Sequence, residues 1–384
     1  MTPFDISRIQ SRAWHCLAKS YQLGRIGGTY LFHGPEGTGK WSLAIWLAAL
    51  LNCDQSGVQE EGRLPSPCGQ CRECRSVFSL NFEGLYFALP IPPHRNFDEA
   101  IDLTSELLNL KRIEPMARLV APAGATIPIA VARNIKKRLS LRAAAGVVRL
   151  VLFYQMEKML PSSADALLKL IEEPPRDTVI VLTATRPESL LPTLQSRSRK
   201  IRLHRVPEQT IRDYLMEGYG TSERQAVLAA RLSEGCPANA IDLVQTSPEQ
   251  DSSRRTDGFL LFRSLLSDTA PEAISRITEF ADPRDRDGAR SLLYLWQSLT
   301  RDCARYAITA SEGEIVNIDF QAEIMKLSAL FGGSQLPFQL VDNIKIALAD
   351  LRRNVHIQGA LTALTLKVKA GMSAGAGRHR RISE

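Results

Sequence analysis

Up to about residue 206, the chain alternates short, nearly continuous apolar runs with stretches of helical period. Tyr30-Leu31-Phe32-His33 is the first short run, and an apolar stretch of helical length, Ser42 to Leu51, follows after a glycine-rich turn. Val131, Ile135 and Leu139 repeat at helical spacing, whereas Val147 to Phe153 and Val179 to Leu182 are the uninterrupted runs of strands buried on both faces, as in a parallel sheet. Pro161 to Glu173 reads as a helix stopped by Pro174-Pro175. Between Leu80 and Thr126 prolines break the pattern, and only Asp98 to Leu110 is helix-like, so the rest of that region is left unassigned. The alternation predicts an α/β domain over 1–206. Beyond it the β signal disappears. Pro207 to Val244 splits into three short helical segments at Gly220 and Gly235-Cys236-Pro237, a small helical subdomain over 207–250, and the polar run Thr246 to Asp257 reads as a linker. Long helical patterns such as Ala289 to Ala307 and Leu336 to Lys367 predict an all-α domain over 257–370, and the small, basic residues 371–384 predict a disordered tail.

Composition narrows the class without naming a function. Of 384 residues, 44% are hydrophobic and 23% charged, the ordinary globular balance, which excludes collagen-like and intrinsically disordered classes. The longest mostly apolar run, Trp41 to Leu51, falls short of the roughly 18 residues of a membrane span, and Met1 to Asp5 lacks the basic and apolar regions of a secretion signal. The expected compartment is the cytoplasm, with no membrane partner. A net charge of +7 permits binding to a polyanion but does not establish it. Arg133, Lys136, Lys137, Arg138 and Arg142 share one helix whose Val131, Ile135 and Leu139 face the core, so the charges form either a solvated face or contacts to a DNA backbone. A second basic cluster, Arg197, Arg199, Lys200, Arg202 and Arg205, follows Ser196.

Two segments carry chemistry. Gly34-Pro35-Glu36-Gly37-Thr38-Gly39-Lys40 fits the first seven positions of the phosphate-binding loop G-x-x-x-x-G-K-[ST], with Gly34, Gly37, Thr38, Gly39 and Lys40 as the candidate phosphate-binding residues. The eighth position should hold the hydroxyl that binds Mg²⁺, and here it is Trp41. Ser42 cannot replace it, because one residue along a helix turns the side chain by about 100°. The strand ending at Phe153 is followed by Tyr154-Gln155-Met156-Glu157, without an acidic residue in the two positions where a metal-holding carboxylate is needed. The Mg²⁺ site is therefore expected to be degraded and efficient hydrolysis lost, while nucleotide binding stays open. Cys53, Cys68, Cys71 and Cys74 lie within 22 residues, and two overlapping C-x-x-C pairs plus a fourth cysteine form a closed Cys₄ zinc site of structural role. Cys16, Cys236 and Cys303 stand alone and are expected to be buried as small hydrophobes.

The order of these parts is informative. The glycine loop, the cysteines after its helix, Ala166-Leu167-Leu168-Lys169-Leu170-Ile171-Glu172-Glu173-Pro174-Pro175, and Leu190-Leu191-Pro192-Thr193-Leu194-Gln195-Ser196-Arg197-Ser198 together resemble the bacterial clamp-loader subunits of the AAA+ superfamily. The resemblance implies an AAA+ ATPase-like domain over 1–206 with an inserted zinc module over 53–74, a helical lid over 207–250 and a helical collar over 257–370. It further implies that Arg197 is an arginine finger reaching into a neighbouring subunit's ATP site, with Ser198 in place of the usual cysteine. Thr185 falls near the γ-phosphate-sensing position, and Asn239 stands where active members carry a lid arginine. A retained donor arginine beside a degraded acceptor site is the pattern of the non-hydrolysing, delta-prime type of DNA polymerase III subunit. Such a subunit has gamma/tau and delta types as partners, and the sliding clamp and primer-template DNA through the complex. Two alternatives remain at this stage: an active gamma/tau-type motor drawing a metal ligand from Glu157 or Asp165, and a free-standing zinc-containing DNA-binding protein.

Overall fold

A computed structural model describes residues 5–55, 64–93, 96–119, 124–160, 163–164, 167–245, 248–353 and 355–379. The chain divides into two compact units, Met1–Asp242 and Leu243–Glu384. Five strands form the sheet of the first unit: β1 (Gly28–His33), β2 (Leu85–Ala88), β3 (Arg149–Phe153), β4 (Thr178–Ala184) and β5 (Arg199–Arg202). All neighbours pair in parallel in the order β2-β3-β4-β1-β5, with Gly28 opposite Val179 and Leu150 opposite the same Val179. This register brings the C-terminal ends of β1, β3 and β4 to one edge of the sheet, where an open α/β fold places its ligand-facing loops.

Burial explains which residues made the strands legible. Every residue of β3 and β4 is buried, so their apolar runs are continuous. The one charge in β3, Arg149, is 5% exposed, and its guanidinium donates to Thr178 Oγ1 and to the carbonyls of Leu139, Leu141 and Arg176, so the charge is not left unpaired. β2 and β5 are edge strands, mostly half-buried or exposed; β5 has no apolar run, the short run Leu85 to Leu89 that holds β2 sits beside the prolines of the unassigned region, and the sequence reading predicts neither. The helix Lys40–Asn52 is buried on nearly all sides and therefore apolar all round. In the helix Ile129–Leu139, Val131, Ile135 and Leu139 turn inward, and Arg133, Lys136 and Lys137 are exposed.

The segment 80–126 holds more order than its prolines suggest: β2, the helix Phe97–Ile113, and an antiparallel bridge between Ile91 and Thr126. The expected helix from Pro161 to Glu173 is described as helical only over Leu168–Glu172 and at 163–164; Pro161, Ser162, Asp165 and Ala166 lie outside the described residues. Three short helices, Glu208–Tyr219, Glu223–Leu232 and Pro237–Gln245, follow the sheet as the pattern predicts.

Helices are the only regular elements among the described residues of the second unit. Its core gathers Phe262 and Leu265 from the helix Pro248–Ser267, Trp296 and Leu299 from Arg286–Thr309, Ile344 from Leu336–Arg352, and Leu361 from Ile357–His379. Two expectations are corrected here. The polar run Thr246 to Asp257 is not a linker from Pro248 onward, and the 371–384 tail is helical as far as His379; residues 246–247 and 380–384 lie outside the described residues. In both cases a weakly apolar stretch adjoins a packed helical segment, and adding residues to an existing helix costs far less than nucleating one.

Candidate functional site: phosphate loop, cysteine cluster and Arg197

β1 delivers the chain into the glycine loop. Gly34, Gly37 and Gly39 have φ of 143°, 77° and 94°, so the turn uses backbone conformations that side chains disfavour. A Cβ on Gly34 would run into the Leu203 carbonyl, and one on Gly39 would lie 2.9 Å from Ile6 Cδ1 and 3.3 Å from Met116 Cε. On the other side the loop is met by the helix Pro237–Gln245: the Ala238 amide donates to the Gly37 carbonyl at 3.2 Å. The Lys40 ammonium turns back on its own loop and donates to the carbonyls of Gly34 and Pro35, each at 2.7 Å. Burial lowers its pKa to about 8, against the opposing pull of Glu157 and Glu36.

Trp41 is 2% exposed, stacks on Phe87 at 5.1 Å and meets Tyr154 edge-on at 5.7 Å. An indole therefore fills the place where a metal-binding hydroxyl would stand. Gln155 adopts a left-handed φ of 55°, and its amide donates to Thr183 Oγ1 at 2.8 Å. Glu157 lies on the following turn, where one carboxylate oxygen accepts from both the amide and the hydroxyl of Thr185 at 3.0 Å. It forms no ion pair with Lys40 among the described residues, and Asp165, the other candidate, lies outside them.

The four clustered cysteines converge. Cys53 caps the end of the helix Lys40–Asn52, Cys71 caps the start of the helix Arg72–Phe78, Cys74 lies within that helix, and Cys68 precedes a Gly69 of φ 72°. Their sulfurs all lie within 4.8 Å of one another, and Cys68 and Cys74 Sγ are 4.0 Å apart. A tetrahedral zinc with Zn–S bonds of about 2.3 Å needs sulfurs roughly 3.8 Å apart, so the set fits with little contraction. Amides of Cys68, Gln70, Cys71 and Cys74 donate to these sulfurs at 3.3–3.4 Å, which favours thiolates. Burial pushes the Cys53 and Cys74 thiols up, whereas at Cys68 the amides of Cys71 and Gln70 overcome burial and bring it to about 7. Of the lone cysteines, Cys236 and Cys303 are buried as expected, but Cys16 is exposed.

Arg197 ends the short helix Pro192–Ser196. Its Nε donates to Glu172 Oε2 at 2.9 Å and its Nη1 to the Thr193 carbonyl at 3.3 Å, while Nη2 makes no hydrogen bond among the described residues. The Ser198 hydroxyl donates to the Leu194 carbonyl at 2.7 Å, closing the turn that presents Arg197. Glu172 comes from the helix that precedes Pro174-Pro175, so the two motifs singled out in the sequence meet in one ion pair.

Residues 9–207 match the sequence profile of the family described as DNA polymerase III, delta subunit, over more than half of the chain. The chain belongs to that family. Its similarity to the DNA polymerase III subunit delta-prime of Bacillus subtilis runs almost end to end, at 24% identity over 96% of this chain and 98% of the relative. The Escherichia coli delta-prime subunit is 28% identical over 60% of this chain and 58% of its own length. The tau subunit of Escherichia coli is also 28% identical, over 61% of this chain, which spans 31% of that longer relative. These matches make the family member one of delta-prime type.

Sequence reasoning missed three residues of this delta-family site. Lys111, Met116 and Arg118 come from the segment left unassigned between Leu80 and Thr126 and lie against the glycine loop. A lysine closing the mostly apolar Leu107-Leu108-Asn109-Leu110-Lys111 was the available signal. No helix among the described residues is long and apolar enough to cross a membrane.

Proposed function

We propose that this chain is a non-hydrolysing, delta-prime-type subunit of a cytoplasmic DNA polymerase III clamp loader. It assembles with gamma/tau-type and delta-type subunits through its helical C-terminal unit, acting as a collar, and supports loading of the sliding clamp onto primed DNA. Arg197 is directed at the ATP site of an adjacent subunit. Zinc held by Cys53, Cys68, Cys71 and Cys74 fixes the module after the glycine-loop helix, a closed structural site with no position open for catalysis. Arg133, Lys136 and Lys137 are available for DNA-backbone contacts.

The observation that carries this reading is a contrast between two cations. Arg197 is restrained through Nε and Nη1 and keeps Nη2 unspent. Lys40, which would serve the chain's own nucleotide, is folded onto the Gly34 and Pro35 carbonyls beside an indole in place of the metal ligand. A guanidinium stabilises phosphoryl-transfer charge from a neighbouring subunit, and such fingers are worth about 10³–10⁵ in turnover at the site they serve. The test is Arg197→Ala in the reconstituted complex. ATP turnover at one neighbouring site should collapse while the complex still assembles and the isolated chain turns over no ATP. Mg²⁺-dependent hydrolysis by the chain alone, or undiminished turnover in the Arg197→Ala complex, overturns the proposal.

A further inference from the structure

The segment that prolines made illegible ends in a strap, residues 111–118, lying over the phosphate loop. Ser42, one residue past Trp41, donates its hydroxyl to the Pro115 carbonyl at 3.0 Å and touches Met116 Sδ at 3.1 Å. Met116 is 3% exposed, and its methyl end reaches the face of Gly39 where the loop's amides meet the start of the following helix. The turn is held from beneath by Lys111, 3% exposed, whose ammonium donates to the Pro115 and Ala117 carbonyls at 3.1 and 2.5 Å and lies 5.4 Å from the Trp41 ring. At the far end Arg118 pairs with Glu36 of the loop at 3.5 Å and donates to Asn239 Oδ1 at 3.4 Å, while its Nε is buried without a hydrogen-bond partner.

We propose that residues 111–118 are a built-in plug: the strap occupies the phosphate loop as an internal ligand and excludes nucleotide, so that a nucleotide can enter only when the strap lifts. This rests on the reading that the chain makes no use of its own nucleotide, and it supplies the physical cause. The glycine geometry and Lys40 are intact, so sequence defects at Trp41 and Tyr154 remove the metal and the chemistry but not the anion-binding amides. Met116 packs on the Gly39 face of the loop, and on the other side the Ala238 amide holds the Gly37 carbonyl. Lys40 meanwhile is satisfied without a phosphate. Arg118 joins Glu36 of the loop to Asn239 of the helix Pro237–Gln245, so the strap also ties that helix to the loop.

The energetic form of the proposal is a population tax. If only a small fraction of molecules has the strap lifted, the apparent affinity falls by that fraction, and a variant that raises the open fraction tenfold gains about tenfold in affinity. The experiment measures ADP and inorganic pyrophosphate binding to the full-length chain by calorimetry. The variant Lys111→Met/Met116→Ala keeps the lysine stem against Trp41 but removes both carbonyl contacts and the plug's tip. It should bind ADP at least about tenfold more tightly than the unaltered chain. Adding Lys40→Ala to this variant should abolish the gain, which places the binding at the loop. A folded variant, judged by its circular dichroism and zinc content, that binds no better than the unaltered chain overturns the plug. In case the variant does not fold, hydrogen exchange on the unaltered chain gives an independent answer. Millimolar ADP should either leave residues 111–118 and 37–42 unchanged or deprotect the strap while protecting the loop. Protection of the loop with the strap equally protected would show both bound at once and sink the idea. None of these readouts involves Arg197, so the plug can fail while the subunit's role stands, and the reverse.

Discussion

A single side chain decides more here than the charge of the whole chain. Trp41 is readable in the sequence as a break in the phosphate-loop motif, but what it does instead is not, because its partners Phe87, Tyr154 and Lys111 lie 46, 113 and 70 positions further along. Lys111 is the sharpest case. Its two carbonyl partners and the ring faces favour the ammonium, burial opposes it, and burial prevails, lowering the pKa to about 7 against the pull of Glu114 and Asp242. The unfolded lysine keeps its proton up to about pH 10.4, so unfolding takes up a proton between about pH 7 and that value, and stability rises with pH through that window. Buried tyrosines and thiols titrate against this trend at higher pH, so the clean measurement is a difference. Relative to Lys111→Met, the unaltered chain should gain up to about 1.4 kcal/mol per pH unit between pH 7 and 9 in urea unfolding. A flat difference would mean that Lys111 stays charged where it lies. Arg197 shows the opposite balance of legibility: its motif was plain in the sequence, but Glu172 as the group that restrains it was not, since only the fold brings two separate motifs together.

At the scale of elements, legibility followed burial. β3 and β4 were evident because both faces are covered, whereas β5 at one edge has no apolar run and the short run of β2 at the other lies beside prolines that break the pattern. The cysteine cluster was legible for another reason: spacing is a local property, and Cys71 caps the helix Arg72–Phe78 while Cys74 lies within it. Seven residues make a poor helix by themselves, because nucleation is costly for so short a segment. If the four cysteines hold zinc as proposed, the module should depend on it. The purified chain is expected to carry one zinc, and chelation should expose four thiols to a colorimetric reagent and lower the melting temperature of the first unit. Four reactive thiols in the folded, untreated chain, with no zinc by elemental analysis, would contradict the assignment. Helix lengths were the least legible quantity: Pro248–Ser267 and Ile357–His379 both run on through polar or glycine-containing sequence, where composition alone suggests coil.

The molecule as a whole is two compact units with separate cores, divided at Asp242 and Leu243, whereas the sequence pattern suggests a helical subdomain over 207–250 and a linker from Thr246 to Asp257. Trp296, Phe262, Leu299 and Leu361 are fully buried within the second unit. A fragment spanning 243–384 should accordingly give a helical circular dichroism spectrum and a single cooperative thermal transition. A gradual, non-cooperative melt would show that this core is incomplete. The sheet of the first unit has its own boundary at β5, which pairs only with β1 among the described residues and exposes Arg199, Lys200 and Arg202. An unpaired strand border is a template on which stray extended chain can grow, and a row of cations is a common way to discourage it. The basic residues Arg199, Lys200 and Arg202 thus have a reason to exist in water: a charged border of this kind discourages copies of the protein from zipping together edge to edge.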